Sequence, residues 1–138
     1  MVYIPADISW TYFRYGFDQL GRIMEFALRE AAAEPPPVEV SAPSIVQAMP
    51  HVQGSRTVVH LLNDISSLGR SQNVPGEAVR ERREVIPIHD IRVTFRDARL
   101  RQFRLEPGGV VLQPEATPQG RQVTVPRLDV HAMVIAEP

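Results

Sequence analysis

No cysteine occurs among the 138 residues, which excludes disulfide frameworks, thiolate metal centres and cysteine nucleophiles together. Lysine is absent as well, and all fifteen basic residues are arginine. That bias reads as the composition of a GC-rich genome, with salt-bridge or anion-binding demand as the alternative. There is no charge excess: a net charge of −1 offers no global attraction to nucleic acid or to anionic membranes. No apolar run approaches the roughly 20 residues that span a bilayer. The opening Met1-Val2-Tyr3-Ile4-Pro5 has neither a basic start nor a long apolar stretch, so the expectation is a chain without a secretory signal and cytoplasmic. No phosphate-binding glycine loop and no G-x-S-x-G elbow appears.

What is present divides at a triple proline. Val2-Tyr3-Ile4 is a short β-prone run stopped by Pro5, and residues 10–17 form an aromatic-dense segment read as a loop. From residue 17 to 33 the spacing predicts a helix: Phe17, Leu20, Gly21, Met24, Ala27, Leu28 and Ala31 form one apolar stripe. Asp18, Arg22, Glu25 and Arg29 fall on the other side, with Glu25 four residues before Arg29 in the favourable order for an ion pair. Pro35-Pro36-Pro37 ends that helix, because proline lacks the N–H and restricts the residue before it. A domain boundary is placed there, between residues 1–36 and 37–138.

Beyond the boundary the pattern turns to strands. Residues 38–40 and 45–49 are short candidates, and residues 56–63 carry apolar groups on both faces, as a central strand does. Residues 64–84 are polar and read as a long excursion. Ile91, Val93 and Phe95 alternate with Arg92, Thr94 and Arg96, a half-buried strand. Glu106-Pro107-Gly108-Gly109 between residues 100–105 and 110–112 signals a hairpin, and Pro118-Gln119-Gly120 a second turn. Residues 128–135 are apolar enough for a single interior closing strand. About seven strands separated by turns argue for a mainly β fold, a small antiparallel β-sandwich. The strand–helix segment before it buries too little alone, and reads as the remnant of an α/β domain.

Catalytic constellations are not legible. His51, His60, His89 and His131 show no zincin spacing and no H-x-H pattern. His60 and His131, each inside an apolar run, read as hydrogen-bonded core or sheet histidines. His89 and Asp90 are adjacent in a strand and so point to opposite faces, which rules them out as a dyad. No pair among the sixteen acids suggests carboxyl groups opposed across a cleft. Arginines thicken between residues 80 and 104, but interleaved acids dilute them into a solvated face. The best recognition candidates are Trp10, Tyr12, Arg14 and Tyr15, whose rings suit either a sugar or a packed interface.

The order of segments resembles a known architecture. Val2-Tyr3-Ile4-Pro5-Ala6-Asp7, the aromatic segment and the helix ending in Ala31-Ala32-Ala33 resemble the end of the flavodoxin-like trimerisation domain of β-galactosidase-type glycoside hydrolases. Residues 37–43, Arg56-Thr57-Val58-Val59-His60-Leu61-Leu62-Asn63, residues 85–91 and residues 125–135 are similar to the small β-sandwich that follows that domain. The resemblance implies a catalytic (β/α)₈ barrel upstream that carries the acid/base and nucleophile, none of whose positions exists in this sequence. The expectation is a non-catalytic accessory and assembly region without cofactor or metal. Its partners would be the upstream catalytic domain of the same polypeptide and further copies of itself. The alternative is a carbohydrate-binding module using residues 10–17.

Overall fold

The computed structural model describes residues 3–4, 7–64 and 85–138, with the backbone alone for Phe13. It divides the chain into two compact units, one holding residues 1–36 and one holding most of residues 37–138. The first unit is helical where described. Helix α1, Ile8–Tyr15, occupies the segment expected to be a loop. Asp7 caps it, accepting a hydrogen bond from the Trp10 N–H at 3.1 Å, while Thr11 Oγ1 donates to the Asp7 carbonyl. Gly16, in the left-handed conformation at φ 65°, ends it by donating its N–H to the Tyr12 carbonyl. Those two punctuating residues were the available signal, and the density of aromatics obscured them.

Helix α2, Asp18–Ala31, follows at once. Leu20, Gly21, Met24 and Ala27 of the expected stripe are its half-buried side. The ring of Tyr12 lies directly over Gly21, where a Cβ would stand 2.9 Å from the ring, so glycine is what lets α1 approach α2. Asp18–Arg22 and Glu25–Arg29 form exposed ion pairs, each worth a few tenths of a kcal/mol. Ile23 and Phe26 widen the apolar arc; they and Leu28 of the stripe stay 45%, 64% and 72% exposed. The expected opening strand is not seen: Tyr3 and Ile4 are not in a strand, and Val2 lies outside the described residues. Tyr3 is exposed, and no described neighbour pairs with it to form a ladder.

The second unit is the antiparallel β-sandwich. Its strands are β1 Val38–Ser41, β2 Val46–Gln53, β3 Arg56–Asn63, β4 Ile88–Phe95, β5 Gln102–Glu106, β6 Val110–Leu112, β7 Glu115–Thr117, β8 Gly120–Leu128 and β9 His131–Glu137. One sheet runs β1-β4-β8-β7 and the other β2-β3-β9-β5-β6. Nine strands therefore replace the seven expected among the described residues. The hairpin of β5 and β6 is found where Pro107-Gly108-Gly109 predicted it, and that of β7 and β8 at Pro118-Gln119. Residues 128–135 are not one strand. The chain turns at Asp129-Val130 from the four-stranded sheet into the five-stranded one, and each half points its apolar side into the shared core. Apart from Asp64, the expected excursion at 64–84 lies outside the described residues.

Alternation places the core. Val59 and Leu61 of β3, Val93 and Phe95 of β4, Phe103 of β5, Val123 and Val125 of β8, and Val134 and Ala136 of β9 are almost fully buried. Phe95 and Phe103 meet between the sheets with ring centroids 5.3 Å apart. Full burial of each such valine or phenylalanine contributes roughly 1.5–3 kcal/mol. Asp90, at φ 57°, lies on the rung where Pro126 faces β4, and the in–out alternation slips there on both strands: His89-Asp90 and Pro126-Arg127 are successive exposed pairs.

Two of the chain's crossings between sheets are tied at one end by a single side chain. Asn63, at the end of β3 and 7% exposed, donates through Nδ2 to the Ile86 carbonyl at 2.9 Å and to the Asp129 carbonyl at 2.8 Å. Its backbone N–H donates to Val130. Ile86 leads into β4, and Asp129 is the corner between β8 and β9.

Candidate functional site

The four residues singled out for recognition all lie on α1. Trp10 and Tyr15 are 51% and 60% exposed, and Arg14 is exposed as well. At 3.6 residues per turn, Trp10 and Tyr12 stand about 160° apart around the axis, so one flat ligand cannot stack on both. Tyr12 faces α2 and covers Gly21. Tyr15 stacks on Phe17 at 5.7 Å, with the Arg14 guanidinium 5.6 Å from its ring centre. Trp10 and Arg14, four residues apart, share a side of the helix. The helix thus turns Tyr12 toward α2 and Trp10 and Arg14 away from it, while the exposed Tyr15 packs on Phe17.

The sandwich holds a group of side chains that no sequence spacing revealed. On the outer face of the five-stranded sheet, His60 stands opposite Met49 on one side and Met133 on the other. His51 is opposite Val58, and His131 is opposite Leu62, so both are diagonal neighbours of His60. His60 Nδ1 and His131 Nε2 are 3.1 Å apart. Their ring centres are 5.4 Å apart with planes 24° from parallel, the geometry of two rings meeting edge to edge through nitrogen. His51 stands perpendicular to His60, 5.4 Å between centres. Of the two settings expected for them, core or sheet, the structure shows the second: both are hydrogen-bonded on a sheet, His60 half-buried and His131 exposed. An open depression of about 430 Å³ lies here, lined by His51, Val58, His60, Met133 and Ile135 among others. Outer faces of antiparallel sandwiches are usually polar, whereas this one shows Met49, Val58, Leu62, Met133 and Ile135.

A second cleft, about 370 Å³, opens at the other side of β2, lined mostly by apolar groups including Val38, Pro50, Val52 and Phe95. Asp97 and Arg99 stand at its lip.

The described carboxylates are largely engaged by arginine. Arg96 meets Glu39 at 3.2 Å, Arg104 meets Glu106 at 3.1 Å and Arg56 meets Glu137 at 3.8 Å. Hydrogen bonds from Arg99 hold the Asp97 carboxyl below its ordinary range, and those from Arg127 do the same for Asp129. In return, Arg99 and Arg127 are raised by the same bonds. A general acid needs the opposite shift. His89 contacts the Pro126 carbonyl at 3.1 Å rather than the carboxylate of Asp90.

These observations define the second unit as a two-sheet antiparallel sandwich. No family model matches the chain, and no curated protein matches it by sequence. In fold the chain is similar to α-L-fucosidase isoenzyme 2 from Paenibacillus thiaminolyticus, with a TM-score of 0.78 and 24% identity. The likeness covers 98% of this chain and 20% of the fucosidase, so the chain spans about a fifth of that protein's length. At this identity the likeness is one of fold.

Proposed function

We propose that the chain is the non-catalytic, carboxyl-terminal accessory region of a glycoside-hydrolase-like protein. In this reading it supports the fold and oligomerisation of a catalytic barrel carried by the same polypeptide. The observation that carries the reading is the match of nearly the whole chain to a minor part of an α-L-fucosidase. Residues 1–36 would be the end of a trimerisation-like domain, and the exposed Ile23, Phe26 and Leu28 of α2 the surface that meets the rest of it. The arginine-paired carboxylates of the sandwich fit a supporting role, since a glycosidase needs one carboxyl held protonated. Immunoblotting source cells with antibodies to the sandwich tests this. The expected band belongs to a polypeptide several times longer than 138 residues. A band of this chain's own length would sink the reading.

The exposed Trp10–Arg14 pair favours a second reading, contact with carbohydrate. Because Trp10 is the single tryptophan, its fluorescence reports on that surface alone. Under this reading galactosides or plant oligosaccharides shift its emission; an unchanged spectrum up to millimolar sugar removes it.

A further inference from the structure

His60 and His131 come from strands 71 positions apart and meet nitrogen to nitrogen on an open face. Two ring nitrogens that share one proton in this way are also spaced as two ligands of one cation. At metal–nitrogen distances of about 2.0–2.1 Å, neighbouring ligands stand about 2.9 Å apart at a right angle and about 3.35 Å apart in a tetrahedron. The observed 3.1 Å lies between those values. To aim both lone pairs at one ion, each ring must turn by about 40°, a motion along the soft terminal torsion of histidine. His131 is exposed, so water from the open face can fill the remaining positions.

We propose that His60 and His131 form a bidentate surface site for a borderline divalent transition-metal ion. Among the described residues no group of three or more His, Cys, Asp or Glu side chains is arranged to hold an ion, so the site is a two-ligand chelate completed by water. The donor set selects the cation. Imidazole suits copper, nickel and zinc, whereas magnesium and calcium require oxygen ligands. The carboxylate of the His60 row, Glu106, is engaged by Arg104. Met49 and Met133 flank His60 in that row, and their thioethers are soft groups that further favour copper.

The test is calorimetric titration of the folded chain with Cu²⁺ and, separately, Zn²⁺. One Cu²⁺ is expected to bind more tightly than Zn²⁺, following the general order of affinities. His60→Ala and His131→Ala should each weaken Cu²⁺ binding at least about tenfold. His89→Ala, whose ring lies against Pro126 of the other sheet, should leave it unchanged. Electron paramagnetic resonance of the Cu²⁺ form should show two coupled imidazole nitrogens, reduced to one in His131→Ala. That variant removes an exposed side chain, and circular dichroism checks that it stays folded. Binding equal in the His60→Ala, His131→Ala double variant and the parent, an equal loss in His89→Ala, or no stoichiometric ion on the parent would each overturn the site.

Discussion

Gly120→Ala is expected to cost about 4 kcal/mol or more and to lower the Tm of the sandwich on the order of 15–25 °C. Gly120 opens β8 at φ 141°, a conformation that side-chain-bearing residues rarely adopt. The backbone is also crowded there. A Cβ at this position would stand 2.2 Å from the Phe95 carbonyl oxygen and 3.0 Å from Arg96 Cα. Neither obstacle can swing aside as a surface side chain does, because Phe95 is a fully buried core residue of β4. Gly109→Ala is the control: it has φ 63° but nothing within 4 Å of its Cβ direction, so only the left-handed penalty of roughly 1–2 kcal/mol applies. Thermal unfolding followed by circular dichroism separates the two. Equal small losses at both positions would mean that the start of β8 does not approach the end of β4 as described.

Asn63→Ala is expected to cost about 2–4 kcal/mol, because it strands two carbonyls that its amide now satisfies at the end of the sandwich. Asn63→Asp should be worse at neutral pH, since a carboxylate would turn acceptor atoms toward the Ile86 and Asp129 carbonyl oxygens. The effect is large for one residue because both bonds sit where the chain changes sheets, leading into β4 and between β8 and β9. Losing them loosens two crossings together. Gln47→Ala removes an exposed hydrogen bond to Asp64 and should stay within about 0.5 kcal/mol. Urea unfolding with an unchanged m-value is the measurement. An Asn63→Asp protein as stable as the parent would show that the amide donors do not hold that end.

The elements legible in the sequence are those whose side-chain period matches one element type. The three- and four-residue stripe from Phe17 to Ala31 marked α2, although only Leu20, Gly21, Met24 and Ala27 of it are half-buried, and residues 56–63 coincide with β3. Where two signals overlap, the period misleads. In α1 the rings of Trp10, Tyr12 and Tyr15 fall on different sides of the helix, so no stripe appears, and only Asp7 and Gly16 announce the element. In residues 128–135 the apolar content stays high because two strands from different sheets point into one core. The turn between them, Asp129-Val130, is too short to interrupt it.

The sequence by itself determined the fold class, the end of α2 before Pro35-Pro36-Pro37 and the absence of any thiol chemistry, because composition, proline geometry and side-chain alternation act locally. The tertiary structure alone decided which distant residues touch. Strand register brought His60 beside His131 and Asn63 beside the β8–β9 corner, although neither pairing leaves a mark in spacing. Register follows from the whole apolar pattern of two sheets settling on one core, and every polar neighbour on the outer face is a consequence of that choice.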